Sequence, residues 1–170
     1  MTARQLDTRP LMVTAAATAA LIALAALAAA TSPAAARDLW GAPPHPVLAG
    51  SATELLDVLA TNLPPLALPL LLAATLAGHG RTSRALGDLA TAAVMATNAL
   101  LIGAALGTWG FRLLPYLPHL PFELAALACS CSAWWSRRAH PRPLAHLALA
   151  ALGIAVLAAL LEVYATPHTG

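Results

Sequence analysis

Apolar runs of a length that can cross a lipid bilayer recur along this chain and leave only short polar gaps between them. A spanning helix needs about 20 mainly apolar residues, and the gaps hold the glycine, proline, arginine and histidine expected of loops. Backbone polar groups inside a membrane must be bonded internally, so such runs fold as helices. The pattern predicts a single all-α transmembrane domain over residues 1–170, with about five spanning helices at residues 11–30, 58–77, 89–109, 121–135 and 144–164.

The composition excludes a water-soluble globule. Hydrophobic residues make up 59% of the chain, charged residues 9%, and the mean hydropathy is +0.74, whereas about a quarter of the residues in a soluble domain are charged. A net charge of +2 without a basic face argues against a nucleic-acid partner. The chain has no lysine, nine arginines, and long runs of alanine and leucine broken by proline. We therefore expect a bacterial protein from a GC-rich genome. Its predicted partners include the lipid bilayer.

The arginines predict the orientation, because cytoplasmic loops hold an excess of positive charge. With the N-terminus in the cytoplasm, only Arg37 and Arg112 lie outside. The other seven then lie on the cytoplasmic side of a bacterial cytoplasmic membrane, and the C-terminus lies outside. These seven are Arg4, Arg9, Arg81, Arg84, Arg137, Arg138 and Arg142.

Aromatic residues favour the same orientation, since tryptophan and tyrosine concentrate at the two membrane interfaces. Trp134 and Trp135 are predicted to form the inner belt. The outer belt is predicted to hold Trp40, Trp109, Tyr116 and Tyr164.

The first apolar run has two interpretations. A basic start, an apolar core and the small residues at 32–36 also describe a cleavable signal peptide. The apolar stretch is at the long end for a signal core, which favours a retained membrane anchor.

Two motifs resemble those of a known family. Residues 117–124 read LPHLPFEL and are similar to the LPHG-x-x-EL-P motif of the stage II sporulation protein M family, with Leu120 in place of the usual glycine and Ala125 in place of the usual proline. Residues 158–167 read AALLEVYATP and resemble that family's IEAFITP ending. Asn62 and Asn98 stand where such proteins carry asparagines, so the resemblance covers residues 54–167.

This resemblance implies a multi-helix membrane protein without known catalytic chemistry, so we expect neither an enzyme nor a cofactor. One branch of the family acts in septal and engulfment membranes with a peptidoglycan hydrolase and a second envelope protein. Other members accompany an ATP-binding subunit in gene clusters for circular bacteriocins. The resemblance therefore implies either a permease-like subunit of an exporter or a scaffold for envelope remodelling.

The polar residues predict a shared site independently of that resemblance. Under the topology above, Glu123 and Glu162 lie at similar depth in the outer leaflet, and His119 precedes Glu123 by four residues, on one helical face. Asn62 lies near the same membrane face and Asn98 lies deeper. Ionisable groups at membrane depth face the protein interior, so these five residues are predicted to converge. If the two carboxyl groups lie close together, at least one of them is expected to be protonated.

Each of these residues also has a structural interpretation. Glu123 would cap its own helix, and Glu162 would extend to the interface. His119 is better explained as a loop residue that bonds the backbone than as a metal ligand. Zinc requires three or four ligands, and His119 with Glu123 supplies two. Asn62 and Asn98 would serve as hydrogen-bond links between helices. On these grounds no metal is expected.

The remaining patterns concern packing. Pro64, Pro65 and Pro69 should kink or break the second helix. A broken helix is found at the substrate sites of transporters, whereas a simple bend has no such meaning. Gly103 and Gly107 permit the close approach of another helix, either within the chain or across a homodimer. Cys129 and Cys131 diverge on a helix and are expected to stay unbridged packing residues.

Two functions follow as hypotheses. The proline-containing helix and the polar cluster favour a transport subunit, while the lack of a charged pathway across both leaflets favours a scaffold. No Walker motif is present, so any energised activity must come from a partner, which for the transport subunit is a separate ATP-binding protein.

A reporter domain fused after Gly170 tests the topology. With five spans and a cytoplasmic N-terminus, an alkaline phosphatase fusion should be active and a green fluorescent protein fusion should be dark. The opposite result would show that either the number of spans or the predicted orientation is wrong.

Overall fold

The computed structural model describes residues 9–32, 34, 50–110, 113, 117–139 and 144–165, and helices account for most of them. No strand occurs within these ranges, which confirms the predicted all-α class. The helices are α1 Arg9–Thr31, α2 Ala52–Thr75, α3 Arg81–Trp109, α4 Leu120–Ala139 and α5 Ala145–Ala165. Several predictions fall outside the described residues: those on Arg4, Arg37, Trp40, Arg112, Tyr116, Arg142, residues 166–170 and the side chains of Arg9 and Arg138.

A local cap, rather than hydropathy, sets where α2 begins. Ser51 precedes α2 and forms a capping box, in which the Glu54 N–H donates to Ser51 Oγ at 3.2 Å and the Ser51 N–H donates to Glu54 Oε2 at 2.9 Å. The helix therefore begins before the predicted residue 58. The third helix, α3, also begins earlier than the predicted residue 89, at Arg81; Gly80 precedes it without a side-chain cap.

Among the described residues, four helices have the length and apolar composition needed to cross a membrane, so the chain is a multi-pass membrane protein. They are Met12–Thr31, Ala52–Thr75, Arg81–Trp109 and Ala145–Ala165. The predicted count of about five spans thus includes one helix, α4, that is long enough but less apolar. Its polar and charged residues are Glu123, Ser130, Ser132, Ser136, Arg137 and Arg138.

The packing explains the composition of α4, which contacts all four other helices. Ser130, Cys131 and Trp134 are each fully buried. The other helices carry the leucines that lie on the outside of the bundle, such as Leu71 on α2 and Leu149 on α5. A helix shielded from lipid by its neighbours can hold polar side chains that a lipid-facing helix cannot.

The helix directions follow from which residues pack together. On α2 and α4, Leu66 packs with Leu127, and further along both helices Ala73 packs with Trp134, so the two helices run parallel. The helices α3 and α5 run antiparallel to α4. We call the end where α2 and α4 begin the His119 end, and the opposite end the Trp134 end.

Close packing of α1 on α3 uses the predicted pair of glycines. A Cβ atom at Gly103 would overlap the carbonyl oxygen of Ile22, and a Cβ atom at Gly107 would overlap that of Ala26. The pair therefore seats a helix of the same chain, which is the intrachain alternative of the two considered above.

The prolines do not break α2, which continues through Pro64, Pro65 and Pro69. Each proline still removes one N–H donor, so three helical carbonyls lose their usual partner. Cys131 is buried in the core formed with Leu66 and Ala155, and both Cys129 and Cys131 are free thiols.

Substitution of Gly103 by leucine tests the packing of α1 on α3. The new side chain must displace the α1 backbone, and overpacking of this kind costs about 1–3 kcal/mol. The thermal midpoint of the Gly103→Leu protein in detergent should fall by several degrees. At Gly153 on α5, a Cβ atom would meet no other atom within 4 Å, so Gly153→Leu should leave the midpoint unchanged; equal losses would contradict the assignment.

Candidate functional site

The turn before α4 places His119 and Glu123 on the same side of the bundle. The His119 carbonyl accepts from the Phe122 N–H at 3.0 Å and from the Glu123 N–H at 3.1 Å, which closes the first turn of the helix. These bonds satisfy the backbone of the first turn without the carboxylate. The Glu123 side chain is therefore available for contacts with other helices.

A hydrogen bond between side chains joins α2 to α4. Asn62 Nδ2 donates to Glu123 Oε1 at 2.6 Å, and both residues are partly buried. An amide that donates to a carboxylate makes one of the stronger kinds of hydrogen bond. Glu123 thus bonds a neighbouring helix, which differs from the simple capping role considered for it above.

Glu162 reaches the same place from the end of α5. One ligand-type atom each from His119, Glu123 and Glu162 lies within 4.8 Å of the others, and all three residues are partly buried. The structure therefore brings together four of the five residues in the predicted cluster, on three helices and the turn before α4. Tyr164, near the same end of α5, is exposed.

Asn98, the fifth residue, bonds its own helix instead of the cluster. Its Nδ2 donates to the Val94 carbonyl at 2.9 Å. It nevertheless lines the same cavity as Asn62 and Glu123. That cavity has a volume of about 40 Å³, which is enough for a few water molecules. Its other lining residues are Pro65, Leu66, Ile102, Leu124, Leu127, Ala155 and Ala158.

In the described part of the chain, the arginine side chains lie far from the cluster of His119, Glu123 and Glu162. The arginine side chains described there, Arg81, Arg84 and Arg137, lie at the Trp134 end.

Burial lowers the pKa of His119 and so favours its neutral imidazole. Its Nδ1 atom is buried and has no hydrogen-bond partner among the residues that the structure describes. A neutral imidazole nitrogen beside carboxyl groups is suited to bind a proton or a metal ion.

The Trp134 end contains a second polar contact, which the sequence analysis missed. Trp134 Nε1 donates to Asp88 Oδ1 at 2.9 Å, and the indole ring packs on Gly87, where a Cβ atom would overlap it. Trp134 is fully buried, so its predicted place in the interfacial belt was wrong. The available signal was Gly87 beside an isolated acid at the start of an apolar run.

Buried hydroxyl groups lie between the two ends. Thr91 on α3 and Ser130 on α4 are buried, and neither hydroxyl has a hydrogen-bond partner in the described ranges. Thr91 lies seven residues before Asn98, and Ser130 lies seven after Glu123, so each shares a helix face with a cavity residue. Along these two helices, Thr91 and Ser130 therefore lie between the cavity residues and the Asp88–Trp134 contact.

No family model, curated protein or solved structure matches the chain. The fold and site define a multi-pass α-helical membrane protein whose bundle holds a mostly apolar cavity with three polar lining residues. The resemblance to the stage II sporulation protein M family rests on the sequence motifs alone.

A double-mutant cycle tests the link between α2 and α4. Asn62→Leu and Glu123→Leu should each lower the stability in detergent, and the coupling energy should be about 0.6 to 1.7 kcal/mol, the range measured for hydrogen bonds between membrane helices. Glu123→Gln should retain most of the stability, because its amide oxygen can still accept from Asn62. Asp57→Leu, on the exposed part of α2, is the control; a coupling energy of zero would show that the two side chains act independently.

Proposed function

We propose that the chain is a permease-like membrane subunit of a bacterial transport system that works with a separate ATP-binding partner. In this proposal the protein lies in the cytoplasmic membrane with its N-terminus inside. The observation that supports it is the cavity lined by Asn62, Asn98 and Glu123 inside a bundle of apolar helices. Polar and ionisable groups at such depth are costly and commonly line a pathway.

Two buried hydroxyl groups support the same function. Along α3 and α4, Thr91 and Ser130 lie between the cavity residues and the Asp88–Trp134 contact. In this proposal a transported ion or proton would meet hydroxyl and carboxylate groups between the two ends of the bundle, in place of an uninterrupted apolar barrier.

Movement of the bundle is expected at α2. Its prolines remove hydrogen bonds from the middle of the helix, and Pro65 lies directly against the cavity. Helices weakened in this way border the substrate sites of many transporters. Because the sequence has no nucleotide-binding motif, an ATP-binding partner would have to drive the movement.

A scaffold for envelope remodelling is the second candidate, and the size of the cavity favours it. A volume of about 40 Å³ accommodates a few water molecules but no peptide. A scaffold that recruits a peptidoglycan hydrolase would not need the cavity to open. Its polar residues would then serve only to fix the positions of the helices.

Capture of the full chain from its native membrane separates the two candidates. A tagged chain should copurify with an ATP-binding protein, and the complex should hydrolyse ATP while the purified chain alone should not. Glu123→Gln should lower the stimulated ATPase rate, whereas Asp57→Asn, on the exposed part of α2, should not. Recovery of peptidoglycan hydrolases without a nucleotide-binding protein would support the scaffold, and ATP hydrolysis by the chain alone would contradict both candidates.

A further inference from the structure

We propose that His119, Glu123 and Glu162 bind a divalent transition-metal cation of the zinc or manganese class. The proposal concerns a resident ion and holds for either function considered above. It assigns to this chain a metal site that the sequence alone did not predict.

The distances among the three side chains fit such a site. One donor atom from each lies within 4.8 Å of the other two. Donors on one zinc ion lie roughly 3.4 Å apart, given metal–ligand bonds of about 2.0–2.2 Å. Glutamate has three rotatable side-chain bonds, so small rotations at Glu123 and Glu162 suffice to close the site around an ion.

The unpartnered nitrogen of His119 is an independent observation that points to a ligand. Nδ1 is buried, and within the described part of the chain it makes no hydrogen bond. Buried polar atoms are nearly always satisfied by protein, water or an ion. A metal ion at the cluster fixes the tautomer of the imidazole, because coordination by one ring nitrogen leaves the other as a donor.

Asn62 orients the Glu123 carboxylate for binding the ion. Its amide donates to Glu123 Oε1 and thereby leaves Oε2 available to the ion. Carboxylates that bind metals are commonly held by a hydrogen bond of this kind, which limits their rotation. The bond also explains why an amide, rather than another acid, lies beside Glu123.

The charges match a divalent cation. Two ionised carboxylates with a neutral imidazole carry a charge of −2, and the arginine side chains that the structure describes lie at the other end of the bundle. A divalent ion would neutralise that charge at a depth where isolated carboxylates are strongly disfavoured.

The donor types select the class of metal. Imidazole nitrogen with carboxylate oxygen suits zinc, manganese, iron or cobalt, whereas magnesium and calcium prefer oxygen ligands throughout. Three protein ligands leave at least one coordination position for water, and the cavity lined by Glu123 adjoins the site. No metal was predicted from the sequence, because the pair His119 and Glu123 was weighed alone and zinc requires three or four ligands.

The test is metal binding by the full chain in detergent micelles. Protein stripped with a chelator is titrated with Zn²⁺, Mn²⁺ and Mg²⁺ by calorimetry, and bound metal is counted by mass spectrometry after dialysis. We expect one Zn²⁺ or Mn²⁺ per chain and much weaker Mg²⁺ binding. Glu162→Gln and His119→Gln should each weaken Zn²⁺ binding at least about tenfold, as loss of a ligand or of its support does in other sites.

Matched controls separate this site from binding at the surface. His79→Gln and Asp57→Asn change an exposed histidine and an exposed acid, and both should bind Zn²⁺ as the wild type does. Helicity and elution volume show which variants fold. If a ligand variant misfolds, the visible absorption of wild-type protein loaded with Co²⁺ reports nitrogen and oxygen coordination directly.

Two results would overturn the proposal: affinity unchanged by Glu162→Gln and His119→Gln, or an octahedral Co²⁺ spectrum like that of the free aqueous ion. Failure to capture an ATP-binding partner would contradict the transport function and leave the metal site in place. One bound Zn²⁺ per chain with normal partner capture supports both.

Discussion

A helix with polar side chains can lie inside a bilayer only where other helices separate it from lipid, and this constraint governs the whole bundle. Here α4 is that helix, and it contacts α1, α2, α3 and α5. The surrounding helices supply the leucine-rich surface, while α4 supplies two of the five buried hydroxyl side chains in the described ranges, Ser130 and Ser132. The position of the candidate site follows, because groups on α4 face protein rather than lipid.

Polar contacts near each end help to hold α4 in place. Asn62 on α2 bonds Glu123 near the start of α4, and Asp88 on α3 bonds Trp134 toward its end. Between them the packing relies on small residues such as Ala126 and Cys131, both fully buried. Hydrophobicity does not drive helices together in lipid, so specific bonds and close contacts define how they fit.

Much of this arrangement could be predicted from the sequence, because alternating spans place the ends of successive helices at known membrane faces. That reasoning suggested that Glu123 and Glu162 would lie at one depth, where the structure has them. It could not show which side of each helix faces which neighbour. For that reason Trp134 was assigned to the interface, the central position of α4 was missed, and a metal-binding role was weighed for His119 and Glu123 without Glu162. The start of α2 was misplaced because the Ser51 capping box, not hydropathy, marks it, and α3 extends back to Arg81.

The parallel packing of α1 on α3 has a consequence for assembly during synthesis. Gly103 and Gly107, which receive α1, emerge from the ribosome long after α1 has entered the membrane, so α1 must first exist as a solitary helix in lipid. Its hydroxyl groups suit that interval, since Thr18 donates to the Thr14 carbonyl at 2.8 Å and Thr31 donates to the Ala28 carbonyl at 2.7 Å within the same helix. The first helix therefore satisfies these polar groups on its own before its docking surface has been made.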